Sequence, residues 1–273
     1  MTEASLAGSD AERLTVFDVL RLRAPNPGPL TLSGTNTWVI GRDPAWVVDP
    51  GPAIGEHLDA LLAAIERRGG LGGIALTHDH LDHVGALATL RERHPAPLAA
   101  ARGAADIELR DGVRVGPLEA LRTPGHSRDH FAFLAGTVCL TGDAVLGEGS
   151  VFVAPDPGAL AAYLTGLRRL LERDLDVLCP GHGPPVWSAR ERISQYIEHR
   201  LERERRLLAA LAEGRRTDAE LLDAAWSDVP ESLRRAAAVT LGAHLGKLAE
   251  EGRLPTDFPL PESSAAKRSG LQP

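Results

Sequence analysis

Aromatic residues make up only 4% of this chain of 273 residues, which weighs against a surface built to stack unpaired bases. Cysteine is scarcer still. Cys139 and Cys179 are the only two, neither lies in a CxxC pair, and each sits inside an apolar run. A disulfide framework is therefore excluded, and both read as small buried residues. There is no excess of positive charge: 30 Lys and Arg against 37 Asp and Glu leave a net charge of −7. That excludes a generally basic coat for nucleic acid, though not a local basic surface. No run of roughly 18 apolar residues is present to cross a membrane. The opening stretch, MTEASLAGSDAERLTV, has neither the basic start nor the apolar centre of a signal peptide. The expected location is the cytoplasm.

What is present suits a soluble globular protein. The chain is 43% hydrophobic and 25% charged, enough for one large domain or a main domain with a smaller one. Residues 1–12 and 256–273 read as loose tails. Between them, short β-rich runs bounded by Gly, Pro or Asp alternate with helical runs. The strand candidates are Asn36–Gly41, Ala45–Asp49, Gly73–Thr77, Pro97–Ala100, Leu118–Thr123, Phe131–Leu134, Thr137–Thr141 and Asp176–Cys179. A helix is expected over His57–Arg68, stopped by Gly69-Gly70. A second should start with Asp156 as its cap and Pro157 in its first turn, with Leu160, Tyr163, Leu164, Leu167 and Leu171 on one stripe.

The character changes after Trp187. A long charged helix over Ala189–Glu213, a short one capped by Thr217 and a third over Glu231–Glu250 precede a hairpin-like tail. Three helices and such a tail describe a winged-helix-like module spanning 189–255, after a main domain spanning 13–188. Modules of this kind bind nucleic acid, or serve only for packing or dimerisation. The acidic balance favours packing, with a homodimer as one arrangement.

One short stretch concentrates the chemistry. THDHLDH, Thr77 to His83, directly follows an apolar strand candidate. Histidines at i and i+2 cannot share a helix face but converge from a loop leaving a strand, and Asp82 and His83 open the expected helix DHVGALATLRER. Neutral imidazoles with carboxylates suit zinc, and less specifically iron or manganese. Three later segments repeat one form, a strand, then Gly, then a ligand-type residue: LRTPGH ending at His126, CLTGD ending at Asp143 and VLCPGH ending at His182. Each Gly permits a tight turn where backbone must approach a site. Five histidines and two aspartates are thus expected at one sheet edge.

With those residues in place, the sequence resembles the metallo-β-lactamase-fold hydrolases, whose HxHxDH signature stands here as His78-x-His80-x-Asp82-His83. The resemblance implies a four-layer αββα sandwich, an α/β fold, with the small C-terminal winged-helix-like domain appended. It also implies that one zinc is held by His78, His80 and His126, another by Asp82, His83 and His182, and that Asp143 bridges them. GTNTWVIG, VVDPGP, TPGHSRDH, LTGDAVLGEGSVF, CPGHGPPV, QYIEHR and LGAHLGKLAEEGRL further resemble the β-lactamase-like protein 2 group across about residues 14–254. Eukaryotic members of that group are single-strand-specific endoribonucleases, and related fungal enzymes hydrolyse acyl-carrier thioesters. A β-lactamase of the type with a cysteine ligand would carry it where Asp143 stands.

Paired cations acidify water and stabilise a departing atom. The expected function is a dinuclear-zinc hydrolase that uses a metal-bridging hydroxide, with Asp82 and Asp143 as its catalytic carboxylates. Its expected substrate is a phosphodiester, with single-stranded RNA as the partner; the alternative is a thioester or carboxyl ester of a small acyl conjugate. Asp49 either orients a ligand histidine or forms the turn before Pro50-Gly51. His130 either supports His126 or is structural. Asn36 and Thr37 line the pocket or cap the first strand. His199 and His244, with Lys247 or Arg200, are candidates for substrate contact. The run RLERERR reads as a solvated helix face with internal ion pairs; a groove tracking phosphates would need those arginines unpaired.

Overall fold

The computed structural model describes residues 9–259. Its first sheet holds β1 (Val19–Arg23), β2 (Asn36–Ile40), β3 (Ala45–Val48), β4 (Leu71–Ala75), β5 (Leu98–Ala100) and β6 (Ile107–Glu108), in that spatial order. β1 to β3 pair antiparallel, and β3 to β6 pair parallel. The second holds β7 (Arg114–Val115), β8 (Leu118–Arg122), β9 (Phe131–Ala135), β10 (Val138–Gly142) and β11 (Val177–Pro180), ordered β11-β10-β9-β8-β7. The helices are α1 (Asp10–Thr15), α2 (Gly55–Arg67), α3 (Leu81–Val84), α4 (Leu87–Arg93), α5 (Ala159–Leu171), α6 (Ala189–Ala212), α7 (Asp218–Ala225) and α8 (Arg234–Glu250).

β2, β3 and β10 are buried along their whole length because both of their faces are covered. Between the sheets, Trp38, Ile40, Val48 and Ala75 meet Leu118, Phe131, Phe133, Leu140 and Cys179. On the far side of the first sheet, Leu61 and Ile65 of α2 and Leu90 of α4 pack on Val39, Val47 and Ile74. On the far side of the second, Tyr163 and Leu167 of α5 and Ile193 and Tyr196 of α6 cover Leu121, Ala132 and Leu178. Helix, sheet, sheet, helix is the four-layer order expected. Each fully buried Leu, Ile or Phe contributes about 1.5–3 kcal/mol to holding the layers together.

The C-terminal helices close on a core of their own, with Leu207, Leu211, Leu221, Trp226, Leu241 and Leu248. Thr217 caps α7 as expected, its hydroxyl accepting from the Glu220 amide while Glu220 reaches back. α6 belongs to both parts. Ile193 and Tyr196 pack on the second sheet, whereas Leu207 and Leu211 pack into the C-terminal core. A division at residue 188 therefore separates sequence more cleanly than it separates packing.

Several expectations are corrected. Residues 10–12, expected in a loose tail, open α1, because Ser9 and Glu12 form a capping box. α5 begins at Ala159 rather than at an Asp156 cap; Gly158 stands before it in a left-handed conformation, and Asp156 pairs with Arg128 instead. The helix expected over DHVGALATLRER is two, α3 and α4, parted at Gly85 and Ala86. No strand follows α8 among the described residues, so the hairpin-like tail is not seen. The rest of the expected tails, residues 1–8 and 260–273, lies outside the described residues. No helix among the described residues is long and apolar enough to cross a membrane.

Candidate metal centre

The C-terminal ends of β4, β8, β10 and β11 fall at one edge of the two sheets, and each delivers ligand-type side chains. The loop after β4 carries His78 and His80 into α3, where Asp82 and His83 sit in the helix's only turn. His126 follows β8, Asp143 follows β10 and His182 follows β11. One potential ligand atom from each of His78, His80 and His126 falls within 4.8 Å of the others, and the same holds for Asp82, His83 and His182.

Asp143 stands between the two triads. Its Oδ1 is 3.6 Å from His83 Nε2, while its Oδ2 lies 3.6 Å from His126 Nε2 and 3.4 Å from His182 Nε2. His182 Nε2 and His83 Nε2 also lie 3.3 and 3.4 Å from Asp82 Oδ2. The separation is too long for good hydrogen bonds and short enough to share a cation. His78 Nε2, His83 Nε2 and Asp143 Oδ1 are buried without a hydrogen-bond partner among the described residues. Orphaned lone pairs of this kind, aimed at one another, are costly unless an ion satisfies them. The residues fit two divalent cations.

The ring tautomers follow from the hydrogen bonds. Asp49 accepts from the Thr77 amide at 2.8 Å, the Thr77 hydroxyl at 2.6 Å and His83 Nδ1 at 2.9 Å. Thr77 has one hydroxyl proton and gives it to Asp49, so it must accept from His78 Nδ1, 3.0 Å away. A single buried carboxylate thus fixes two imidazoles, each with Nε2 free. Both readings of Asp49 hold at once, since it orients His83 and also turns the chain, with φ at 53°. Thr35 donates to Asp82 Oδ2 at 2.9 Å, and His126 Nδ1 faces the Phe152 carbonyl at 3.3 Å.

His130 supports Asp143 rather than His126. Its Nε2 accepts from the Asp143 amide at 3.0 Å, which leaves Nδ1–H to donate to the Thr123 hydroxyl at 2.9 Å. Burial, reinforced by nearby His126, pushes the His130 pKa down to about 3 and keeps it neutral for that role. Burial likewise lowers His126 to about 4 and holds His78 well below its ordinary value. For His83, burial opposes the charge, but Asp143, Asp49 and Asp82 outweigh it and raise the pKa to about 9. A cation held at His83 Nε2 would take the place of a proton there.

Two glycines make room for this centre. Gly142 has φ of 47°, and a Cβ there would meet Thr77 Oγ1 at 2.6 Å. At Gly181 an added Cβ would run into Asp143 Oδ1 and lie 2.7 Å from His83 Cε1. Gly181→Ala is expected to push both ligands off position, an overpacking cost of about 1–3 kcal/mol. Chelator competition should read this as divalent-cation affinity lowered about five- to a hundredfold, with the fold intact by circular dichroism. Unchanged affinity would show that the space beside Asp143 is not limiting.

The other candidate residues lie apart from the ligand cluster. Asn36 is fully buried; its amide donates to the Pro180 and Gly183 carbonyls at 2.8 and 2.9 Å and accepts from Arg21 at 2.8 Å. It braces the loop carrying His182, which corrects the expectation that it touches substrate. Thr37 is buried against His57, with Oγ1 2.9 Å from Nε2. His244 is fully buried, its ring edge-on to Trp226 at 5.5 Å, and so packs within the C-terminal core rather than facing an open groove. His199 accepts from Arg203 at 3.2 Å and borders a shallow depression on α6 with Glu191, Glu198, Glu202 and Arg205. Arg200 is buried and bonds the Val151 carbonyl, and Lys247 pairs with Glu204 at 2.7 Å.

Sequence reasoning missed Thr35, Thr77, Thr123 and Phe152. Only Thr77 carried a signal, as the residue immediately before the first ligand histidine.

The comparisons agree with this geometry. Residues 30–118 and 105–182 match the family model described as the metallo-beta-lactamase superfamily, and residues 217–255 match the beta-lactamase associated winged helix domain. The chain is 31% identical over 254 residues to the beta-lactamase-like protein 2 homolog of Caenorhabditis elegans, covering 86% of this chain and 85% of that one. It is 32% identical over 242 residues to the atrochrysone carboxyl ACP thioesterase of Aspergillus fumigatus, covering 78% and 74%. A solved metallo-beta-lactamase family protein from Thermus thermophilus superposes with a TM-score of 0.71 at 26% identity, covering 86% and 94%. This chain belongs to the metallo-β-lactamase superfamily, as an enzyme of its hydrolase type that carries the winged-helix domain associated with that fold.

Proposed function

We propose that this enzyme is a dinuclear zinc hydrolase that cleaves thioesters or esters of apolar acyl groups. The observation that carries the dinuclear reading is the place of Asp143 between two ligand triads, with His78 Nε2, His83 Nε2 and Asp143 Oδ1 all buried and unpartnered among the described residues. His78, His80 and His126 would hold one ion, Asp82, His83 and His182 the other, and Asp143 would touch both. Bound there, zinc supplies Lewis acidity, which brings the pKa of water towards ~7 and neutralises charge on the departing atom.

The protein's own residues do the rest. Asp49 and Thr77 hold the Nδ1 protons of His83 and His78, which turns Nε2 of each ring to the centre. Thr35 steadies Asp82, the more exposed of the two ligand carboxylates, with 28% of its side chain accessible against 8% for Asp143. Asp82 is thereby placed to accept a hydrogen bond from the attacking water and to orient it.

Three apolar side chains support an acyl substrate. Leu81, 64% exposed, lies between ligands His80 and Asp82, and Leu30, 54% exposed, lies on the loop leading to Thr35. Phe152 is half-buried against His126, with ring centroids 4.5 Å apart. Three of the six arginines of α6 argue the same way, because carboxylates compensate them, while Arg190, Arg192 and Arg200 are committed to backbone carbonyls. Arg203 is paired with Asp228, Arg205 with Glu198 and Glu202, and Arg206 with Glu202. A phosphate backbone finds few free cations there.

A second reading, hydrolysis of phosphodiesters such as single-stranded RNA, is favoured by one feature. Arg102, Arg110, Arg122 and Arg128 line a depression of about 440 Å³ together with Asp111 and Asp129; Arg110 and Arg128 are paired with Glu108 and Asp156, and Arg102 reaches to 3.8 Å from Asp79 within the ligand segment. The zinc-loaded protein should be assayed on acyl thioesters, bis-p-nitrophenyl phosphate and single-stranded RNA, each with a chelator control. Chelator-sensitive thioester cleavage is the expected result. Cleavage confined to the phosphodiesters would transfer the assignment to the second reading.

A further inference from the structure

The segment from Asp143 to Gly158, between β10 and α5, contains no helix or strand, yet it runs past much of the metal centre. It begins at the ligand Asp143. Its Gly147 amide donates to the carbonyl of the ligand His182 at 2.9 Å, and its Ala154 amide donates to the Gly125 carbonyl, just before ligand His126, at 2.8 Å. Between these points, Phe152 offers its carbonyl to His126 Nδ1. Irregular backbone has no ladder of its own to hold it, so its position depends on what grips it from outside.

Much of that grip comes from the C-terminal helices. From α6, the Tyr196 hydroxyl accepts from the Leu146 amide at 2.9 Å, Arg192 donates to the Leu146 and Gly149 carbonyls at 3.1 and 2.9 Å, and Arg200 donates to the Val151 carbonyl. From α8, the Thr240 hydroxyl accepts from the Val153 amide at 3.2 Å, and Glu250 accepts from the Gly158 amide at 2.8 Å. Arg200 and Thr240 thus hold the two residues on either side of Phe152. Both are buried, so each bond is shielded from water and stronger for it.

We propose that Arg200 and Thr240 are positioning residues for the metal centre. Through Val151 and Val153 they aim the Phe152 carbonyl at His126 and so set cation affinity at the triad of His78, His80 and His126. The C-terminal helices on this account belong to the site and are not only a packing module. The inference rests on the dinuclear reading above, since it assigns a role towards ions held by these ligands.

The test is zinc binding by the full-length protein, followed by competition with a chromophoric chelator. Thr240→Val keeps the shape of the side chain but removes the acceptor for Val153. It is expected to weaken one of the two zinc ions about 10- to 100-fold, the usual scale for losing an outer partner of a ligand, and to leave the other unchanged. Thr240→Ser, which keeps the hydroxyl, should restore wild-type affinity. In a His126→Ala background, Thr240→Val should have no further effect, because both changes act through the same ligand. Arg200→Met supplies the same test should Thr240→Val fail to fold, as judged by the melting of the metal-free protein.

Two zinc ions bound by Thr240→Val as tightly as by wild type overturn the proposal, as do losses that simply add to those of His126→Ala. Failure of the wild-type protein to bind zinc would instead overturn the dinuclear reading, and this inference with it.

Discussion

On the dinuclear zinc reading proposed above, replacing Asp143 with alanine is expected to reduce bound zinc from two ions per chain to one or none and to lower turnover about a thousandfold or more, since paired ions would supply several kcal/mol of transition-state stabilisation. The reason lies in its two oxygens. One faces His83, and the other faces His126 and His182, so this carboxylate closes both triads. Its charge is secure: burial raises its pKa, but His182 and His83 outweigh burial and hold it well below the ordinary carboxylate value. Asp143→Asn separates charge from shape. It keeps one oxygen and the volume, and should retain one zinc more weakly while losing most activity. Metal content by mass spectrometry beside turnover on the same samples checks both arms. Full activity with two ions retained in Asp143→Ala would remove Asp143 from the mechanism.

Asp49→Ala should damage stability and metal affinity together. Three donors lose their acceptor: the Thr77 amide, the Thr77 hydroxyl and His83 Nδ1. Each buried donor left unpaired costs about 1–3 kcal/mol, so the metal-free protein should melt well below wild type. The loss of fixed tautomers at His78 and His83 should lower zinc affinity about 10- to 100-fold. Asp49→Asn, which keeps one acceptor oxygen, should fall between the two. Thermal melts without metal, beside chelator competition with it, separate these effects. A normal melt with normal affinity would reduce Asp49 to a turn residue.

The convergence of the candidate ligands was legible because its signals are local. HxHxDH lies within one loop and helix start, and the three later ligands each follow a strand end and a glycine. The layers were legible for the same reason, as fully apolar strands such as Ala45–Val48 require cover on both faces. What orients the ligands was not legible. Thr35 reaches Asp82 across 47 positions, and Phe152 reaches His126 across 26. No spacing rule links such pairs; only the fold brings them together.

Very short edge strands also escaped notice. Ile107–Glu108 and Arg114–Val115 have two residues each, too few to display alternation. Charge was read half correctly. In RLERERR, Arg205 and Arg206 do pair along an exposed face with Glu202, but Arg203 and Glu204 turn inward to Asp228 and Lys247. Asn36 misled because a polar residue beside a strand start looks available for substrate. Its amide is instead committed to the backbone of the His182 loop.

Anomalous X-ray diffraction at the zinc edge, from crystals of the zinc-loaded protein, tests the centre most directly. Two peaks about 3.5–4 Å apart are expected, one among His78, His80 and His126, the other among Asp82, His83 and His182, with Asp143 touching both. A single peak, none, or peaks away from Asp143 would contradict the dinuclear account.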